Sequence, residues 1–213
     1  MPRQWIAALV ASALPFSSGA GNGLNLIGFG AESVGMGGAD IALARDTSAL
    51  NTNPAGLAQL KRTAFDGYVA AAHSLDVGHS DSLGNDRRVD NSIVPVAGLG
   101  LSAPAAGGAL AWGIGFFAQG GAGAVYKSLR TPFGTTDELS ALIGVARITP
   151  GLAWHATDEL SFGVALPLNV IIAKQRVFPA TSVFNANNPT QSFFGLKLDG
   201  AIGARVGMKL GVM

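Results

Sequence analysis

The chain has 213 residues, of which 13% are charged and 48% hydrophobic, with 30 glycines, a net charge of +1 and a mean hydropathy of +0.36. About a quarter of an ordinary soluble protein is charged, so much of this exterior must face lipid or a partner rather than water. The absence of cysteine excludes disulfides and thiolate metal sites. A balance of +1, with no basic cluster longer than Arg87–Arg88, speaks against nucleic acid as a partner.

Residues 1–20 have the plan of a secretory signal peptide. Arg3 supplies the positive charge, Trp5 to Leu14 an apolar run, and Ser18-Gly19-Ala20 the small residues of a cleavage site. The run falls short of the ~20 residues that a membrane-crossing helix needs. Export is therefore expected, with the mature protein starting near Gly21.

Residues 21–61 are rich in glycine and small side chains but lack strand alternation. Gly28-Phe29-Gly30 invites a nucleotide-binding interpretation, which fails because the third glycine of that loop would be residue 33, here Ser33. Ala39 to Arg45 is expected to form a short helix, ended by the turn formers around Asn53-Pro54.

Beyond residue 62 the dominant signal has period two. Leu110, Trp112, Ile114 and Phe116 alternate with Ala109, Ala111, Gly113 and Gly115. Successive strand residues point to opposite faces, so one face is large and apolar and the other small. The pattern returns from Leu160 to Ala173 and again from Phe194 to Val212. In the last run Lys197, Asp199, Arg205 and Lys209 fall on one parity and aliphatic residues on the other. Asn91 to Tyr126 carries no charge, yet its nine glycines and two prolines suit a transmembrane helix poorly. Lipid tolerates only helices and closed barrels, and aliphatic residues opposite charges are the mark of a barrel strand with a wet lumen. The fold class expected is therefore all-β, a transmembrane antiparallel barrel.

Strands are expected at Thr63–Val77, Ser92–Ala103, Gly108–Ala118, Ala141–His155, Leu160–Lys174 and Phe194–Val212, with loops between. Phe194–Val212 reads as one strand through Asp199-Gly200, because a hairpin there would turn Arg205 and Lys209 into lipid. Six strands fall short of the usual minimum of about eight for a single-chain barrel. Residues 62–213 are therefore expected to be part of a barrel, and a fragment or a truncated gene both fit.

Gly35-Met36-Gly37-Gly38, Asp46-Thr47-Ser48-Ala49-Leu50 and Asn53-Pro54-Ala55-Gly56, taken together, resemble the N-terminal hatch of the FadL-type outer-membrane transporters. Pro150-Gly151-Leu152-Ala153-Trp154 and the segment Asp158 to Gly163 resemble a strand–turn–strand unit of the same family. The resemblance implies a fourteen-stranded barrel in the Gram-negative outer membrane, plugged by residues 21–61. It also implies import of long-chain fatty acids or aromatic hydrocarbons. Asn53, Pro54, Ala55 and Gly56 would belong to the plug.

No catalytic constellation stands beside this. His73, His79 and His155 have neither a nucleophile setting nor a metal-ligand spacing, and the pairs Asp137-Glu138 and Asp158-Glu159 point apart on extended chain. Neither an enzyme, a cofactor nor a metal is expected. The partners expected are a hydrophobic small molecule and the lipid and lipopolysaccharide of the outer membrane. Arg147, Arg205 and Lys209 are lumen-parity cations that would either pair with the carboxylate of a ligand that carries one or simply line a wet interior, as charged lumen residues do in barrels. Ala109, Gly113 and Gly115 would leave space for the ligand. The alternatives are a structural or adhesive surface barrel, or a truncated, non-functional remnant of a transporter.

Overall fold

A computed structural model describes residues 24–213; the proposed signal peptide lies outside them. One antiparallel sheet dominates. Its strands are β1 (Ala64–His73), β4 (Ile93–Ala105), β5 (Leu110–Arg130), β6 (Thr136–His155), β7 (Ser161–Ala165), β8 (Leu168–Val183), β9 (Phe193–Val206) and β10 (Lys209–Val212). A separate hairpin joins β2 (Gly78–Ser80) to β3 (Asp86–Arg88).

β7 and β8 are one crossing in physical terms. β6 meets Ala165 at Gly151 and Leu168 at Ile148, so its register runs unbroken past Pro167, which lacks the N–H a ladder needs. β9 and β10 form one crossing in the same way, with Val206 opposite Leu168 and Lys209 opposite Ala165. The sheet is thus an up-and-down meander of six crossings, as the alternation implied.

One face of the sheet carries residues 24–61. The helix α1 (Ala31–Gly35) and two 3-10 segments, Thr47–Leu50 and Pro54–Gln59, lie there, and Leu50 and Leu57 are fully buried among Ala111, Phe117 and Ala153. We call this face inner. On the other face Trp112, Ile114, Phe116, Leu152 and Trp154 stay exposed, as a lipid-facing belt requires. The two ends of the meander differ. Short turns at 106–109 and 156–160 close one end. From the other project two longer connections, 74–92 with the β2–β3 hairpin and 184–192, beside the short turn 131–135 that tops the long β5–β6 hairpin.

Three expectations need correction. Ala39–Arg45 is not a helix; the helix is Ala31–Gly35. Gly37 and Gly38 at φ 64° and 79° end it, and the Ala44 N–H is taken by Gln59 Oε1 at 2.9 Å instead of a helical carbonyl. Second, the strands run further toward the long-hairpin end than expected. β5 reaches Arg130 and β6 begins at Thr136, so residues 119–138 are mostly strand. β5 slips register after Ala118 and again after Tyr126, and each slip breaks the alternation that sequence parity follows.

Third, Phe194–Val212 is continuous as expected, yet it does not keep one parity. Ala201 pairs with Ala173 but Leu198 with Gln175, so Asp199 and Gly200 form a bulge, with Gly200 at φ 73°. Leu196 and Leu198 therefore share the face of Ala201, while Lys197 and Asp199 turn outward.

In the β2–β3 hairpin, the Asp81 carboxylate accepts from the Asn85 side chain at 2.8 Å, His79 Nε2 at 3.0 Å and the Leu83 N–H at 2.9 Å. Those bonds, the Asn85 amide foremost, hold its pKa down to about 2.

Candidate functional site

The Asn53-Pro54-Ala55-Gly56 tetrapeptide docks on the inner face through specific fits. Asn53 Oδ1 caps the 3-10 segment by accepting from the Ala55 N–H at 3.1 Å, and its Nδ2 donates to the Val212 carbonyl at 3.1 Å. Pro54 opens the segment, where a missing N–H costs nothing. Ala55 lies so close to β7 that a Cβ on Gly163 would come within 2.2 Å of its nitrogen. The preceding motif is used similarly. Asp46 accepts from the Ser48 N–H at 2.8 Å, and Thr47 binds both oxygens of Asp66 through its hydroxyl (2.6 Å) and N–H (3.1 Å). A Cβ on Gly100 would overlap Thr47 Oγ1 at 1.9 Å.

These contacts correct one expectation about the small inner residues. Gly113 and Gly115 do not leave ligand space: Leu50 Cδ1 lies 3.3 Å from a Cβ built on either, and Phe117 closer still to that on Gly115. Ala109 lies in an exposed turn. The small parity admits the N-terminal segment itself.

The three expected cations are inner-facing, but only two converge. Arg147 donates from Nη1 to Asn51 Oδ1 and from Nε to Asn169 Oδ1, each at 2.7 Å. Lys209 donates to the Asn51 carbonyl. Arg205 stands opposite Asn169 and adds only its backbone carbonyl, 3.4 Å from Asn169 Nδ2. Arg147 and Lys209 thus hold one residue, Asn51, between them. Sequence inspection missed Asn51, Asn169 and Asp66, because no local motif links them to partners 19 to 158 positions away.

The feature least legible in the sequence is a window in the wall. β4 and β5 are paired from Gly98–Phe117 down to Ala105–Leu110. Above Gly98, β4 pairs only with β1, and above Phe117, β5 pairs only with β6. At that point β5 leaves its neighbour for the N-terminal segment. Leu26 donates to the Gln119 carbonyl at 2.7 Å, and Asn25 bridges Gly120. Gly120 sits at φ 141°, and a Cβ there would come within 1.8 Å of the Leu24 carbonyl oxygen. This is why the kink needs glycine. The gap closes again higher up, where Asp90 N–H donates to the Val125 carbonyl (2.8 Å) and Val125 N–H to Asn91 Oδ1 (2.9 Å).

A cavity of ≈ 550 Å³ fills this window. Leu26, Val94, Val96 and Ala122 line it from the inner face, and Ala118, Leu142, Ala146 and Ile172 from the outer. A cavity lined by both faces passes through the wall. Only His73, Ser74 and Asn91 interrupt its aliphatic and glycine lining.

No protein-family model matches the chain, and no curated protein does either. Solved structures do match. The toluene transporter TodX of P. putida shares 24% identity over 72% of this chain and 38% of its own, with a TM-score of 0.61. The Ralstonia pickettii toluene transporter TbuX shares 21% over 88% of this chain and 54% of its own, also at 0.61. The monoaromatic hydrocarbon channel CymD shares 19% over 89% and 50%, at 0.59. The chain spans about half or less of the length of these proteins. Its fold is that of the FadL-type outer-membrane β-barrel transporters, the family that its N-terminal motifs resemble.

Proposed function

We propose that the protein passively carries small apolar molecules across the outer membrane, releasing them sideways through the window between β4 and β5. The observation that carries this is the aliphatic cavity crossing the wall at a framed break in the ladder. Its volume of ≈ 550 Å³ is that of a small-molecule site. An apolar solute that leaves the lumen at membrane depth enters hydrocarbon directly and never has to be rehydrated, which a purely axial route would demand.

In this proposal residues 1–20 direct export, residues 21–61 plug the lumen, and the short-turn end is periplasmic, as in outer-membrane barrels generally. Asn53 to Gly56, with Arg147 and Lys209 on Asn51, hold the plug in place. The resemblance in fold to toluene and monoaromatic hydrocarbon channels favours aromatic hydrocarbons as cargo. Fatty acids would place a carboxylate where Asn51 now occupies Arg147 and Lys209.

The test is uptake of radiolabelled toluene and, separately, hexadecanoate by cells lacking their own hydrocarbon transporter. The expected result is that the protein, present in the outer membrane, speeds toluene uptake above the empty-vector rate. Equal rates for both solutes with and without the protein would favour the alternative of a structural surface barrel.

A further inference from the structure

The outer face of the sheet changes character toward the long-hairpin end. Outward positions are first apolar: Ile148 and Ala146 on β6, Val170 and Ile172 on β8, Val206, Ala204 and Ile202 on β9. The next outward positions are polar: Ser140 and Glu138, Lys174 and Arg176, and, beyond the Asp199–Gly200 bulge, Asp199 and Lys197. On β6 the outward apolar run lasts from Trp154 to Leu142. Twelve steps at ~3.3 Å and a ~45° tilt span roughly 28 Å, close to the ~25 Å apolar band of outer-membrane barrels. The polar residues therefore begin where acyl chains end and headgroups start.

Within this band the acids are already engaged. Arg176 reaches Glu138 at 3.1 Å and Asp199 at 3.0 Å, and Asp199 also takes Lys197 at 3.3 Å. Asp90 accepts from the backbone N–H of Lys127 at 2.7 Å. Among the described residues the ammonium groups of Lys127 and Lys174 form no ion pair. Both line an outward pocket of ≈ 310 Å³ with Arg176 between the paired acids.

We propose that this pocket binds a phosphate of outer-leaflet lipopolysaccharide, with Lys127 and Lys174 as its direct partners. The inference rests on the membrane placement proposed above. Two unpaired ammonium groups at headgroup depth match a lipid phosphate in charge and in height, while Arg176, fixed by Glu138 and Asp199, sets the spacing of the site. Asn91 and Leu142 line both this pocket and the wall cavity. A glycolipid seated here borders the upper rim of the window, whose closure depends on Asp90 and Asn91.

The experiment measures binding of deep-rough lipopolysaccharide to the detergent-purified full chain, for the native protein and for K127Q/K174Q. Each lysine near an anionic surface contributes enough that losing both is expected to weaken binding roughly 30-fold. Chemically dephosphorylated lipopolysaccharide is expected to bind the native protein as weakly, and Arg62→Gln, at the opposite end, to leave binding intact. Inorganic phosphate at matched phosphate concentration is expected not to compete. Native affinity in K127Q/K174Q, equal binding of the dephosphorylated lipid, or competition by free phosphate would each overturn the proposal. Toluene binding by the same double variant, expected unchanged, separates failure here from failure of the transport function.

Discussion

The two halves of the β4–β5 seam are built from the same glycine-rich composition and behave oppositely. In the lower half, from Gly98–Phe117 to Ala105–Leu110, the ladder is complete and the inner face is filled by Leu50 and Leu57. In the upper half, Ile93–Ala97 and Ala118–Ala124 do not pair, and a cavity takes the place of a side-chain core. Glycine serves each half differently. Below, the absence of a Cβ at Gly113 lets Leu50 and Leu57 sit against the backbone. Above, it lets β5 adopt φ 141° at Gly120 and turn to meet Leu24–Leu26. Glycine content alone therefore does not say where a barrel wall is tight and where it opens; the bulge does.

If the lower half is a packed core, emptying it is expected to have the largest effect. Leu50→Ala removes a fully buried side chain and is expected to cost about 2–5 kcal/mol. Thermal unfolding in detergent would report it, together with faster trypsin cleavage at Arg45; a cost below about 1 kcal/mol would show the segment to be loosely placed. Overfilling comes next. Gly163→Val puts carbon where the backbone of Pro54 and Ala55 already lies, and backbone does not yield as a side chain does, so a loss of about 1–3 kcal/mol is expected in the same assay.

Arg147→Ala cuts the tie between β6 and Asn51 and is expected to lower stability by roughly 1–2 kcal/mol. It should weaken hexadecanoate binding selectively while toluene binding persists; equal loss of both ligands would make Arg147 purely structural. The smallest effect belongs to the hairpin. A carboxylate whose folded pKa lies below its ordinary value adds stability above the unfolded pKa of ~3.9 and loses it as the pH falls through the folded value. Asp81, at about 2, should therefore keep its bonds at pH 5 and lose them between about pH 4 and 2. Asp81→Asn should remove that pH dependence of hairpin amide exchange.

The strands were legible wherever one face is lipid and the other wall or water, as at Leu110 to Phe116, because the two solvents impose period two on the residues. Legibility ended at bulges. The slip after Ala118 hid the upper part of β5, and the bulge at Asp199–Gly200 sent Lys197 outward although its parity in the sequence matched Arg205. The N-terminal motifs were recognisable as a set, but their roles depend on partners such as Asp66 and Gly163 far along the chain. The window was invisible for the same reason: it is an absence of pairing between two segments that each look like good strands.

The most direct test blocks the window from outside and leaves the lumen free. The chain has no cysteine, so Ala118→Cys, on the outer lip of the cavity, offers a unique thiol for pyrene maleimide, with Ile148→Cys on the lipid face as control. Labelling at residue 118 is expected to bring toluene uptake by cells down to the empty-vector rate, while labelling at residue 148, or treating the cysteine-free parent, leaves it unchanged. Full uptake with residue 118 labelled would contradict release through the β4–β5 window and return the route to the lumen axis.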